Sequence, residues 1–336
     1  MGNEWELAHA TAVMAGQNVH HIPIDAAGFG VIRGIECMLE DHQGPSHAAA
    51  NHYWMQAVME AAARNGAALV LTGAMGNAGV SWQGNGSALG ALFRGNPKTA
   101  SRLLMHAESN LWLTLKRQVL KPILWPGLRA FRRIRSFRGR PWQAYSALNP
   151  SMASELKLEG RMRTAGHDPT FMRSLLEDRR LQFFLPFWSI GAGMSSEIGS
   201  RQSITFADPT FNLSLVEFLL RVPDEQFRRR SQSSWLMQRS FRGRLPERVL
   251  SGRTKGLQAA DVGHRILKEL PEIRQCLDSL DSVPEARELL DLKRLHSCLE
   301  DLVARVDPKT TASAGQILLR GLGVGIFLRR LAESRW

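Results

Sequence analysis

Residues 67–71, Ala67-Ala68-Leu69-Val70-Leu71, are an unbroken apolar run between the turn signal Asn65-Gly66 and the stretch Thr72-Gly73-Ala74-Met75-Gly76-Asn77-Ala78-Gly79. So short a run with no polar alternation reads as a strand buried on both faces, which a parallel sheet covered by helices requires. Upstream, residues 4–16 read as a short helix stopped by Gly16, and 19–24 as a short strand ending at Asp25. A loop then leads to Pro45 and a helix over about 47–64. Helix, strand, helix, strand and glycine-rich loop make half of a doubly wound α/β sheet. From about residue 100 the pattern turns mostly helical. Helices are expected over 102–123, 212–220 (stopped by Pro223), 233–241 (capped by Ser231 or Ser233), 266–280 with a break at Pro271, 286–306 and 313–334. The expectation is therefore an incomplete doubly wound parallel sheet over 1–98 and a mostly helical region over 99–336.

A glycine-rich loop at the carboxyl end of a parallel strand leaves backbone N–H groups free to meet phosphate. Thr72 to Gly84 has that character, although tight turns also collect glycine. Further on, Arg253-Thr254-Lys255-Gly256-Leu257-Gln258 places a lysine in a glycine-flanked loop, where its point charge can neutralise an anion. Net charge is +12, from 43 basic and 31 acidic residues. Part of the excess lies between Lys116 and Arg140, where nine basic residues occur with no acid, interleaved with Trp125, Phe131 and Phe137. No RNP, KH or zinc-knuckle pattern accompanies them, which argues against nucleic acid as the partner. Cys37, Cys276 and Cys298 are too widely spaced for a zinc site or a disulfide framework and fit a reducing cytoplasm. His20, His21, His42 and His47 lack a regular ligand spacing, so no metal is expected there. The apolar stretch 317–331 is interrupted by Arg320 and ends in Arg329-Arg330, so no membrane span is expected.

Three stretches together resemble the synthetase half of the asparagine synthetase family. Leu71-Thr72-Gly73 through Trp82-Gln83-Gly84 is similar to that family's L-S-G-x-G-x-D-E-x-F-G-G-Y loop. It is closer to the L-T-G-x-M-G-N-x-x-x-S-W-x-G form of bacterial asparagine synthase-related proteins. Ala207-Asp208-Pro209-Thr210-Phe211-Asn212, followed by Pro223-Asp224-Glu225-Gln226-Phe227, resembles the R-x-P-F-L-D strand and following helix. Leu245-Pro246-Glu247-Arg248-Val249-Leu250 with Arg253 to Gln258 resembles the lysine loop. The resemblance covers roughly residues 1–270. It implies an adenine-nucleotide-α-hydrolase-like sheet and an AMP-forming amide ligase that uses ATP and Mg2+. It further implies that Thr72 and Gly73 line the nucleotide site and that Gly76 shapes the loop. Lys255 would stabilise charge on the phosphates, with Asn77, Asp208, Arg253, Gln258 and Asp261 in support.

The sequence departs from the family where chemistry is concentrated. Ala74, Asn77 and Ala78 stand where the family loop is acidic, and Asn212 stands where it has aspartate. No S-G-G-x-D-S pyrophosphate loop occurs in these 336 residues, and position 2 is Gly2 where the family's glutaminase nucleophile is cysteine. Aligned with the family, the chain starts after the second strand, so the strand that would pair with 67–71 is missing and its edge is open. The expected partner is a chain carrying S-G-G-x-D-S and a glutaminase domain, and the expected substrate a small-molecule or peptide carboxylate. Three functions stand open: asparagine-type synthesis, macrolactam or amide formation on a peptide precursor, and a non-catalytic binding subunit that keeps the fold.

Overall fold

The computed structural model describes residues 4–19, 21, 29–46, 48–84, 88–105, 112, 124, 128, 131, 140–165, 167, 169, 187–229, 232–252 and 259–333. In chain order its main elements are α1 (Trp5–Met14), α2 (Val31–His42), α3 (His52–Arg64), β1 (Leu69–Leu71), α4 (Ala88–Phe93), α5 (Pro97–Met105) and α6 (Phe187–Ser200). They continue with β2 (Thr205–Ala207), α7 (Leu213–Arg221), α8 (Val262–Lys268), α9 (Leu270–Leu280), α10 (Leu292–Ala304) and α11 (Pro308–Ala332). The described chain is mostly helical, with β1 and β2 paired in parallel and a short antiparallel pair, Arg228–Arg229 with Gln232–Ser233.

Several expectations need correction. The loop expected before Pro45 contains α2, which buries Val31, Ile35, Met38 and Leu39 on one face. That spacing is a helical period which the loop reading passed over; only the N-terminal cap comes from far away. Glu269 accepts hydrogen bonds from the backbone N–H of Val31 (3.0 Å) and Ile32 (3.3 Å). That carboxylate satisfies two orphan donors at the positive end of the helix. Gly30 makes room for it, since a Cβ at this position would lie 2.4 Å from Glu269 Oε2. The helix expected over 286–306 is two helices, Pro284–Leu289 and α10, because Leu290 turns out to bridge to Leu148. The last helix begins at Pro308, before residue 313, with Asp307 accepting from the N–H of Lys309 and Thr310 and a π turn over Thr311–Gly315. Ser233 belongs to the short antiparallel pair and caps nothing; Ser234 occupies the cap of Trp235–Ser240 without a side-chain cap bond. By contrast, the break at Pro271, the end of α1 before Gly16 (φ +66°), and α7 between the Asn212 cap and Pro223 agree with the sequence reading. The expected strand over 19–24 and most of the helix over 102–123 lie outside the described residues. Val19 and His21 are described and belong to no strand.

The largest core joins the two ends of the chain. Ile35, Met38, Leu39 and Tyr53 pack with Ile266, Ile273, Leu277, Leu280, Leu295, Leu299, Leu318, Leu322 and Ile326. Pro308–Ala332 is long and apolar enough to cross a membrane, contrary to the shorter stretch read from sequence. Yet 56% of its most apolar window is buried inside the protein, and α11 packs against α2, α9 and α10. Its hydrophobicity is that of a core helix. A second, smaller core lies under the sheet, where Met59, Ile198 and Ile204 pack with Val70 and Phe206.

Tyr53 ties α3 to the C-terminal helices. Its hydroxyl donates to Asp261 Oδ1 (2.5 Å), Arg265 Nε donates to Asp261 Oδ2 (2.6 Å), and the Arg265 guanidinium lies over the Tyr53 ring, 4.7 Å from its centroid. Partial burial pushes the Asp261 carboxyl up. The hydrogen bonds from Tyr53 and Arg265, with the guanidinium charge, outweigh it and hold Asp261 below the usual carboxylate range. Burial, with Asp261 as hydrogen-bond partner and nearby charge, pushes the Tyr53 phenol up.

Two predictions follow from these contacts. Glu269→Ala should lower stability by about 1 kcal/mol, the usual scale of a lost helix cap, read as a lower urea midpoint at unchanged slope. Gly30→Ala displaces the same carboxylate, so the double variant should cost less than the sum of the two. Because the folded Asp261 is the stronger acid, its contribution is present above the unfolded carboxylate value of about 3.9 and is lost as pH falls through the depressed folded value. Asp261→Asn should therefore flatten the acid limb of a stability–pH curve below about pH 4 and leave the neutral region's slope unchanged.

Candidate functional site

At the carboxyl end of β1 the chain enters a succession of tight turns. Gly76 N–H donates to Gly73 O (3.0 Å), Ala78 and Gly79 to Met75 O, Ser81 to Gly76 O (2.9 Å) and Trp82 to Gly79 O (3.1 Å). These bonds coil residues 73–82 on themselves and bury Met75, Gly76, Ala78, Gly79 and Trp82. Gly73, Ala74 and Asn77 stay exposed, and among the described residues their N–H groups make no hydrogen bond. The anion-facing part of the loop is therefore this small rim beside half-buried Thr72, whose own N–H donates to Ala207 O (2.9 Å).

The loop is held from the far strand. Asp208, the residue after β2, accepts from Met75 N–H at Oδ2 (2.9 Å) and from Thr210 N–H (2.8 Å) and Thr210 Oγ1 (2.5 Å) at Oδ1. Met75 and Ala78 pack on Val216 of α7. Trp82 meets Phe227 edge to face, with ring centroids 5.1 Å apart, and Ser234 Oγ donates to Ser81 O (2.8 Å). Gly84 is required twice over. Its φ is +66°, and a Cβ there would stand 2.6 Å from Arg228 Cβ and 2.9 Å from the backbone carbon of Phe227. Beside it, Glu225 is buried (side chain 4% exposed) and accepts from Arg102 at 3.0 Å.

Two stretches singled out in the sequence, 72–84 and 207–227, thus meet in space. Thr72, Gly73, Gly76, Asn77 and Asp208 share one site. Asp261 is engaged with Tyr53 and Arg265 in the helical region, while Arg253, Lys255 and Gln258 lie outside the described residues. Sequence reasoning passed over Thr210, although Asp-Pro-Thr is a legible turn signal: an aspartate caps a turn begun by proline and binds the N–H two residues on. It also passed over Glu225, whose burial no local pattern announces. Gly191 and Gly193, a lone G-x-G in the sequence, fall inside α6. His42 pairs with Glu197 and meets the His52 ring edge-on. All three cysteines are unpaired and buried, and burial raises each thiol, Cys298 to about 11, which disfavours thiolate chemistry.

Chemically, the rim can receive phosphate oxygens through backbone N–H groups. Among the described residues its one carboxylate is Asp208, which fastens the loop. From Asn65 to Phe93 no charged residue occurs, and both oxygens of Asp208 already accept hydrogen bonds. The described residues fit a phosphate-bearing ligand, and among them no three His, Cys, Asp or Glu gather as a Mg2+ centre needs.

Neither curated proteins nor solved structures gave a match to this chain. A family model for asparagine synthase does match, over residues 2–318 of the 336. With the glycine-rich loop and the Asp-Pro-Thr turn locked together inside that span, the chain belongs to the asparagine synthase family.

Proposed function

We propose that this chain is the synthetase part of an ATP-dependent, AMP-forming amide ligase whose nucleotide site is completed by a second chain carrying an S-G-G-x-D-S loop. The observation that carries the reading is the exposed N–H rim of Gly73, Ala74 and Asn77 at the carboxyl end of a parallel strand, in a chain of this family. In the reaction, a carboxylate oxygen of the substrate attacks the α-phosphorus of ATP and pyrophosphate leaves. Ammonia then attacks the acyl carbon and AMP leaves, so one amide forms for each ATP cleaved. Thr72, Gly73 and the neighbouring N–H groups bind and orient phosphate oxygens. Gly76 acts through shape, since its N–H is spent on Gly73 O. Lys255 neutralises the charge that grows on the departing pyrophosphate, an effect strongest where water is excluded. The acidic groups that organise Mg2+ come from the completing chain, together with a glutaminase domain that supplies ammonia. Three buried, unpaired cysteines support a reducing, cytoplasmic setting for this chemistry.

The substrate is a free amino-acid carboxylate in the asparagine-type reading. The nine cations between Lys116 and Arg140 favour a second reading, in which an acidic peptide precursor is held there and closed to an amide or macrolactam. Ala74, Asn77 and Ala78 favour a third, a binding subunit without catalysis.

ATP–pyrophosphate exchange separates them. The chain alone should bind ATP weakly or not at all by calorimetry; a micromolar dissociation constant would remove the need for a completing chain. Exchange should appear when a chain carrying S-G-G-x-D-S is co-expressed. Dependence on aspartate would select the first reading and dependence on a peptide the second, whereas no exchange with any carboxylate leaves the third. In the active assembly Lys255→Ala should slow adenylation at least about 100-fold, the scale of losing one electrostatic stabiliser. A near-normal rate would rule out the role given to this lysine.

A further inference from the structure

Away from the sheet, the chain builds a small cavity with more hydrogen-bond donors than acceptors. Two short helices, Pro150–Glu155 and Leu158–Thr164, meet at Lys157. With the turn Pro141–Ala144 they border a cavity of about 240 Å³, lined among others by Arg140, Trp142, Ser154, Lys157 and Glu159. The segment that carries Trp142 is fixed to the helical core. Arg320 donates to Tyr145 O (3.1 Å), and Asn149 N–H to Leu289 O and Asp291 N–H to Ala147 O (both 2.8 Å).

Three side chains on the cavity have donors without acceptors. Trp142 is 3% exposed, and among the described residues its indole N–H has no hydrogen-bond partner. A buried indole N–H ordinarily finds an acceptor, because leaving it without one costs stability. The exposed Arg140 guanidinium and Lys157 ammonium have neither an ion pair nor a hydrogen bond among the described residues. Glu159, the one acid on the border, pairs with Arg163 (3.5 Å), and Ser154 Oγ donates to Pro150 O (2.9 Å). Lys157 itself stands at φ +48°, in the left-handed region that a β-carbon disfavours and that glycine or asparagine ordinarily fills. An outlier of that kind points to a use for the side chain it carries.

We propose that this cavity is a binding site for an acidic side chain of a polypeptide, a glutamate or aspartate whose carboxylate is received by Lys157, Arg140 and the Trp142 N–H. Its volume is below the roughly 300–1,000 Å³ of sites that take a whole small molecule, so it receives a side chain and leaves the rest of the ligand outside. Outside, the positive charge continues. From Arg140 to Arg163 there are four cations, Arg140, Lys157, Arg161 and Arg163, against Glu155 and Glu159, and Arg140 also closes the run of nine that begins at Lys116. An extended acidic peptide meets that charge at successive residues, whereas a free carboxylate or phosphate meets it once. The site itself needs no catalysis; only the step from bound peptide to substrate rests on the second reading above.

The test is a titration of the full chain with a fluorescein-labelled peptide of alternating glutamate and glycine, followed by fluorescence anisotropy. The control peptide has glutamine in place of glutamate, and free glutamate and inorganic phosphate are the competitors. The glutamate peptide should bind, and the glutamine peptide should bind at least about tenfold more weakly, the scale of losing hydrogen bonds to a charged group. Lys157→Gly removes the ammonium and relieves the backbone, so it should weaken binding at least about tenfold while the urea midpoint holds or rises. Gly160→Leu leaves both cations in place. A Cβ at Gly160, also on the cavity, meets nothing within 4 Å, so the larger side chain fits, narrows the space and should weaken binding likewise. Wild-type affinity in Lys157→Gly would overturn the proposal at once. Wild-type affinity in Gly160→Leu would assign binding to the basic surface at large and overturn the cavity. Displacement of the peptide by free glutamate or phosphate at equal concentration would overturn the choice of a peptide. No binding of the glutamate peptide, or equal binding of both peptides, would overturn it outright. ATP plays no part in this assay. Binding without peptide-dependent ATP–pyrophosphate exchange keeps the cavity and discards the peptide-ligase reading. Peptide-dependent exchange that neither variant alters does the reverse.

Discussion

Parallel strands cannot be joined by a hairpin, so the chain leaves β1 and comes back in register as β2 only after a long connection. That return is what gives the candidate site its shape. Once β2 lies beside β1, Asp208 emerges at the same end as the glycine-rich loop, and its two oxygens fasten Met75 and Thr210. The remaining contacts of the loop, Met75 and Ala78 on Val216 and Trp82 on Phe227, are made by residues that follow β2 directly. A loop with so many glycines would otherwise carry a large conformational entropy cost. Here internal turns and one carboxylate fix it, and what remains open is a rim three residues wide.

The helical region is tied to the sheet by the same economy of long-range polar contacts. Glu269 starts α2, and the Tyr53–Asp261–Arg265 group fastens α3 to α8. Each joins residues from opposite ends of the sequence, and each sits at the border of the large apolar core. Apolar packing supplies the bulk of the stabilisation, but it is non-directional. The caps and the tyrosine bond decide which helix faces which.

What could be read from the sequence follows from how local each signal is. β1 was legible because five apolar residues stand between turn signals, and α7 because Asn212 caps it and Pro223 ends it nearby. The meeting of 72–84 with 207–227 was legible only through resemblance to a family, since no property of either stretch names the other. The apolar period of α2, Val31, Ile35, Met38 and Leu39, was legible and was passed over; what no local window shows is its cap, because Glu269 lies 238 residues from Val31. The division at Leu290 was half legible: Asp291 caps α10, its side chain accepting from Arg294 N–H, while the bridge from Leu290 to Leu148 has no local signal. Asp261 was read as a candidate for chemistry; its carboxylate is committed to Tyr53 and Arg265, a use of aspartate that sequence alone does not distinguish from a catalytic one.

Two deficits remain, and they fall in one place. The rim at the end of β1 has N–H donors and no carboxylate, and the edge and face of β1 have strand chemistry and no covering layer. Had the chemistry simply decayed, the exposed surface would be free to gather charge, because a lysine or glutamate at Leu69 or Leu71 meets water and costs the fold little. A chain in which 22% of residues are charged has none from Asn65 to Phe93. The buried positions of that stretch need to be neutral, but Leu69, Leu71, Gly73, Ala74, Asn77, Leu92 and Phe93 are exposed and have no such need. The uncharged strand and the acid-free loop lie side by side at one end of the sheet, and the reading proposed above treats the two together.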